Sequence, residues 1–137
     1  MPDEHEAIAL LQQARDTRDA DGVEAALTVA FQRGLTPSLV PLLCDLILDD
    51  WHTRHEDVAL ALEELRDPQS TDALARAALT NHAYLDYDEN FGFARKCTWA
   101  LARIGTLEAF QRLRELARCS NPTIAAYAIK RLPNDAS

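Results

Sequence analysis

Glycine is scarce in this chain, with four residues among 137, and no long stretch alternates polar with apolar side chains. That combination argues against a β-sheet fold. No apolar run approaches the ~20 residues that a membrane-spanning helix needs. The N-terminal MPDEHEAIALL is acidic and lacks the basic start of a secretory signal. Three cysteines, Cys44, Cys97 and Cys119, cannot all pair with one another, and Cys44 and Cys97 fall inside apolar helical patterns. Reduced packing cysteines and a cytosolic compartment are therefore expected. There is no glycine-rich phosphate loop, no CxxC pair, and no Ser or Cys in a recognisable nucleophile context.

Basic residues are the other shortage, and they are unevenly placed. Residues 1–90 carry 19 Asp/Glu against 6 Lys/Arg, whereas residues 91–137 carry 3 against 8. An acidic surface repels a nucleic-acid backbone, so a chain-wide phosphate-binding footprint is not expected, and only the basic last 43 residues offer one. A basic protein partner is the complementary expectation.

What the chain has in abundance is helical periodicity. Apolar residues recur at i, i+3, i+4 and i+7, the stripe of a packed α-helix. The stripe returns four times: Leu27, Ala30, Phe31, Gly34; Val58, Ala61, Leu62, Leu65; Cys97, Ala100, Leu101, Ile104; and Ala125, Ala128, Ile129, Leu132. Two residues after each stripe starts stands another apolar residue: Val29, Leu60, Trp99 and Tyr127. The spacing predicts helices sandwiched between stacked neighbours, with this second position also in contact. The first three stripes are each followed by a turn and a second helix of matching register, marked by Val40, Leu43, Leu46 and Ile47, by Leu74, Ala77 and Ala78, and by Phe110, Leu113 and Leu116. Thr36-Pro37, Asp67-Pro68, Thr106 and Asn121-Pro122 supply helix-start chemistry at those turns.

Two-helix units at this spacing, none able to bury its face alone, describe an α-solenoid. RDPQSTDALARAAL and IGTLEAFQRLRELA resemble the turn and second helix of HEAT-like repeats. The expected fold is one all-α domain over residues 1–137, a short right-handed α-solenoid. Its hairpins should lie at about 20–49, 54–80 and 90–118, with capping helices at about 3–17 and 122–132. Such solenoids are binding scaffolds more than catalysts.

Polar candidates for function gather in two segments, DWHTRHED at 50–57 and NHAYLDYDEN at 81–90. Equivalent loops of a solenoid share an edge, so the two segments are expected side by side. Trp51, His52, His55, Glu56, Asp57, Tyr84, Asp86, Tyr87, Asp88 and Glu89 would then form one acidic, aromatic, partner-binding surface, with His82 beside it. Aromatic side chains supply rigid contact area and acids steer a basic partner. For Trp51, Tyr84 and Leu85 a second role is open, folding back to seal the core. Thr53-Arg54-His55-Glu56 fits a capping box, with Thr53 as the N-cap and Glu56 returning to its N–H. That accounts for Thr53 and Glu56 but not for His52 or His55.

His with carboxylate can hold zinc or iron, but nothing in the sequence fixes His82 relative to His52 and His55. His55-Glu56 resembles one of the His-Glu pairs that bind the di-iron centre of deoxyhypusine hydroxylase, a HEAT-like enzyme. That family needs four pairs, and here Phe93-Ala94 stands where another would be, while His5-Glu6 is out of register. No metal and no cofactor are expected.

Beyond the repeat, LTPSLVPLLCDLILDDWHTRHEDVALALEELRDPQSTDAL followed by YLDYDENFGFARKCTWALARIGT resembles a group of small bacterial HEAT-like proteins. These look like immunity proteins of contact-dependent and Rhs-type polymorphic toxin systems. The likeness spans about residues 35–130. Trp51, His52, His55, Glu56, Asp57, Tyr87, Asp88 and Glu89 match its motifs. It implies a non-enzymatic inhibitor that binds a cognate toxin in the cytosol, without nucleic acid or membrane. The alternatives are a metal-dependent or lyase-like HEAT enzyme and a protein–protein adaptor.

Overall fold

The structure is a computed structural model and describes residues 4–85 and 90–133. Within those residues the chain is all-α. Its helices are α1 (Glu4–Thr17), α2 (Ala20–Arg33), α3 (Val40–Leu48), α4 (His55–Leu65), α5 (Thr71–Ala78), α6 (Gly92–Ile104), α7 (Leu107–Leu116) and α8 (Pro122–Arg131). Among the described residues no helix is long and apolar enough to cross a membrane.

The helices stack in two layers. One holds α2, α4, α6 and α8, the other α1, α3, α5 and α7, and consecutive helices within each layer touch. This is a short α-solenoid. The N-terminal helix does more than lie across an end, because α1 packs along α2 and also touches α3 in its own layer. Its buried line, Ala7, Leu11 and Ala14, needs a full helical face to cover it, and α2 supplies one in Val23, Ala26, Leu27 and Ala30. Among the described residues the first helix, α1, thus lies in the second-helix layer and the last, α8, in the first-helix layer.

Side-chain size sets how closely the layers approach. Ala26, Ala30, Ala59, Ala61, Ala77, Ala100, Ala109 and Ala128 are buried at the contacts, and Leu43, Leu46, Ile47, Leu62, Leu74, Leu101 and Leu113 fill the space between them. The repeated stripes face this core, but the line two residues further on does not. Leu60 and Trp99 are 44% and 46% exposed, and Val29 and Tyr127 are only partly covered. Two residues turn a helix through roughly 200°, so a stripe facing the core leaves that position facing out. The helices α4 and α6 do stand between same-layer neighbours, but the expectation that this second line is in contact is corrected: it faces outward. Ile129 is also outward, at 58% exposed, because α8 has a first-layer neighbour on one side only.

Local chemistry ends each element. Asp67 accepts from Gln69 N–H at 2.9 Å, Thr106 from Ala109 N–H at 3.0 Å, and Asn121 from Thr123 and Ile124 N–H at 3.0 and 3.1 Å. Thr36 makes no such bond; its hydroxyl pairs instead with that of Ser38 at 2.9 Å. Helices α2, α4 and α6 stop at Gly34, Arg66 and Gly105, whose φ values are +108°, +51° and +72°, the last two at equivalent positions of the repeat. Arg66 thus takes a left-handed conformation that glycine adopts without steric cost.

Same-layer neighbours are also tied by charge. Arg15 reaches Asp49 at 3.0 Å and Asp45 at 3.5 Å from α1 to the end of α3. Glu24 meets Arg54 at 2.9 Å from α2 to α4, Glu63 meets Arg103 at 3.5 Å from α4 to α6, and Asp72 meets Arg112 at 2.7 Å from α5 to α7. Between α6 and α8 the Arg131 guanidinium lies 3.7 Å over the Trp99 ring. These contacts are solvent-screened and individually modest; they fix which helices stand side by side.

The two faces of α4 give a direct test by urea denaturation. Leu62→Ala, at a fully buried position, should cost about 2–5 kcal/mol. Leu60→Ala, on the outward line, should cost under about 1 kcal/mol. Equal losses would show that the outward line is covered after all.

Candidate functional site

The turn from α3 into the first residue of α4 brings two imidazoles into the interior: His52 is 2% exposed and His55 is 0%. Their hydrogen bonds explain the placement. His52 Nδ1 accepts from Arg54 N–H at 3.0 Å, so the ring proton sits on Nε2, which donates to the Leu46 carbonyl at 2.7 Å. His55 Nε2 donates to the Asp49 carbonyl at 2.5 Å, while its Nδ1 accepts from the Tyr84 hydroxyl at 2.8 Å. The same hydroxyl oxygen accepts from His55 N–H at 3.2 Å. Leu46 and Asp49 lie at the end of α3, and Arg54 and His55 at the start of α4. Each ring therefore spans from a carbonyl at one helix end towards an N–H at the next helix start, where backbone groups lack partners within the helix.

The expected capping box does not form. Arg54 occupies the N-cap position of α4 with no side-chain cap bond, and Thr53 is exposed. The two histidines that a capping box leaves unexplained take over its task, with Tyr84 delivering a hydroxyl from 29 residues away. The loop's approach reaches a third ring. His55 stacks on His52 at 4.1 Å and 16°, and on His82 at 3.6 Å and 24°. Phe93 of α6 stands edge-on to His55 and His82, and Trp51 edge-on to His52.

Three imidazoles stacked this closely disfavour charge on one another. Burial lowers the His55 pKa to about 4, with His52 and His82 pushing the same way against the Asp49 carbonyl. Burial also lowers His52 and His82 and raises the Tyr84 phenol. Cys97, fully buried among apolar side chains, has its thiol pKa raised by desolvation, and Cys44 is pushed up to about 11, so neither is a poised nucleophile.

The outcome for the sequence-predicted surface divides by residue. The two segments do lie together, as His55–Tyr84 and His55–His82 show. His52 and His55 are corrected from contact residues to interior ones. Trp51 and Leu85 pack against the core, and Tyr84 turns its hydroxyl inward. Glu56 and Asp57 are partly exposed, with Asp57 3.8 Å from Arg54. Asp86, Tyr87, Asp88 and Glu89 lie outside the described residues. A metal would need ring nitrogens converging on a point, but those of His52 and His55 are spent on internal bonds and the rings lie nearly parallel. Among the described residues no group of three or more His, Cys, Asp or Glu is arranged for a metal ion.

The sequence reading placed His82 at the surface and weighed it as a metal ligand, and gave Phe93 no role beyond its being a non-ligand. The available signal was the His-x-Tyr spacing, which puts a ring and a hydroxyl within reach of the same neighbour.

Removing the hydroxyl in Tyr84→Phe leaves His55 Nδ1 and N–H without their partner and should cost about 1–3 kcal/mol. Thr53→Ala should cost under about 0.5 kcal/mol; the reverse ranking in chemical denaturation would restore the capping box. The His55 pKa is lower folded than unfolded, so the unfolded chain binds the extra proton. Its contribution is full above about pH 7 and lost as pH falls from about 6.5 towards 4. The loss should be on the order of 3 kcal/mol. It is read as the stability difference between the native chain and His55→Phe against pH, and a flat difference would contradict it.

Comparison with known proteins agrees with the architecture. The family described as PBS lyase HEAT-like repeat matches residues 93–119, which cover nearly all of α6 together with α7. No curated protein and no solved structure matches. The chain carries a HEAT-like helical repeat.

Proposed function

We propose that this chain is a non-enzymatic immunity protein, a HEAT-like scaffold that binds a cognate bacterial toxin domain in the cytosol and occludes its active site. The observation that carries this reading is the division of labour at the joint between α3 and α4. The rings that would do chemistry are committed to holding helices together, and what the same edge turns to solvent is rich in carboxylate, with Arg54 among it. Asp50 is exposed and Glu56 and Asp57 are partly so, in the part of the chain where acids outnumber bases 19 to 6. A negative surface of this kind captures a basic partner quickly and sets its orientation. The likeness of the 35–130 segment to polymorphic-toxin immunity proteins supplies the finer part of the proposal.

The test is purification of the tagged chain from its own host. An equimolar partner should co-elute, kill cells when expressed alone, and be neutralised by co-expression of this chain. A partner without toxicity, or none, overturns the reading. With the partner in hand, Asp86→Lys, Asp88→Lys and Glu89→Lys together should slow association about tenfold at low salt and flatten its dependence on ionic strength. Unchanged kinetics would remove this loop from the interface.

A further inference from the structure

Helices α4 and α6 stand side by side in the first layer and run the same way. His55 at the start of α4 meets Phe93 in the first turn of α6 with ring centroids 6.0 Å apart, and near the helix ends Glu63 reaches Arg103 at 3.5 Å. Each residue of α4 is therefore matched by one of α6, and at three matched positions the charge reverses. Glu56, Asp57 and Glu64 of α4 stand where α6 has Arg95, Lys96 and Arg103. Leu60 and Trp99 are matched as well, and both face outward, 44% and 46% exposed. Residues four apart share one face of a helix. Glu56, Leu60 and Glu64 thus form one outward row, and Arg95, Trp99 and Arg103 form another beside it.

Neither row is satisfied within the chain. Glu56, Glu64 and Arg95 make no ion pair among the described residues, and Arg103 remains 43% exposed despite Glu63. Positive charge is crowded around Trp99. The Arg131 guanidinium lies over its ring, and burial, with repulsion from Arg95, lowers the pKa of that guanidinium. Large apolar side chains flanked by charge are the composition of an interface centre and its rim.

An acidic row beside a basic row is its own complement. A two-fold axis lying between α4 and α6, parallel to both, sets the α4 of each copy over the α6 of the other without reversing its direction. Glu56 then faces Arg95, Leu60 faces Trp99 and Glu64 faces Arg103, each contact occurring twice. A two-fold axis across the helices would set Glu56 against Glu64 instead. A basic partner matches the α4 row alone, and a nucleic acid the α6 row alone. We propose that this face pairs with the same face of a second copy of the chain, forming a two-fold symmetric dimer. The face is two helices wide and roughly 16–20 Å long, which places it at the low end of specific interfaces. The dimer is accordingly weak and sensitive to salt. It takes in Glu56 and leaves Asp50 exposed at the edge, and it does not depend on the toxin-binding proposal.

Sedimentation equilibrium of the full chain at low salt should show the mass rising from monomer towards dimer across the micromolar range. Salt at about 0.5 M should weaken the association at least about tenfold. Glu64→Arg and Arg103→Glu, both at exposed positions, should each weaken it about tenfold or more by placing like charges in contact. Mixed in equal amounts, the two variants should associate as tightly as the native chain, because both helix seams regain opposite charges. A monomer at every concentration overturns the proposal. So does a dimer indifferent to either reversal, or a mixture that associates no better than its components.

Discussion

Two uncharged imidazoles wedged between the end of one helix and the start of the next form the constraint on which this solenoid's middle depends. A chain that turns from α3 into α4 leaves carbonyls behind and N–H groups ahead, both in the interior where water does not serve them. A histidine has one donor and one acceptor on opposite sides of a rigid ring, and in its neutral form it can face both ends at once. His52 does so alone, while His55 needs the Tyr84 hydroxyl to complete the arrangement. That need draws in the 82–85 segment, and with it the His82 ring and Phe93 of α6. Three successive helical units are thereby joined by one column of flat side chains. Each bond contributes only about 1 kcal/mol net, but leaving one unmade costs about 1–3 kcal/mol, so the column is most sensitive to partial loss.

Elsewhere the solenoid relies on repetition. Buried alanines let the layers approach, leucines fill between them, and Arg15, Arg54, Arg103, Arg112 and Arg131 each reach across to a same-layer neighbour. In such an array each unit is stabilised chiefly by those adjacent to it. Among the described residues α1 and α8 each have a same-layer neighbour on one side only, and Ile129 of α8 faces solvent.

The architecture was legible because helix periodicity is written into local spacing, and the caps at Asp67, Thr106 and Asn121 because their acceptors lie two or three residues from the donors they serve. The outward line of Leu60 and Trp99 was misread since spacing assigns a side chain to a face without saying what covers that face. Thr53 and Glu56 satisfied a local rule that lost to a hydroxyl 29 residues distant. No neighbouring residue announces such a competitor. His52 and His55 stood out by composition, and composition places histidine at a surface as readily as at a joint. Only the closing of the 82–85 segment over them decides the matter.

The identity of the column has a bearing on how proteins of this shape are compared. Rings that bridge two helix ends in a single tautomer leave little freedom for replacement, since no other side chain offers an acceptor and a donor at opposite edges of a flat, apolar-sided body. A chain that keeps this turn is expected to keep His52 and His55, whatever it binds. Likeness across WHTRHED therefore measures descent of the frame. Divergence in target would be registered in the positions around it that carry no such duty, the outward charges and the loop beyond Leu85.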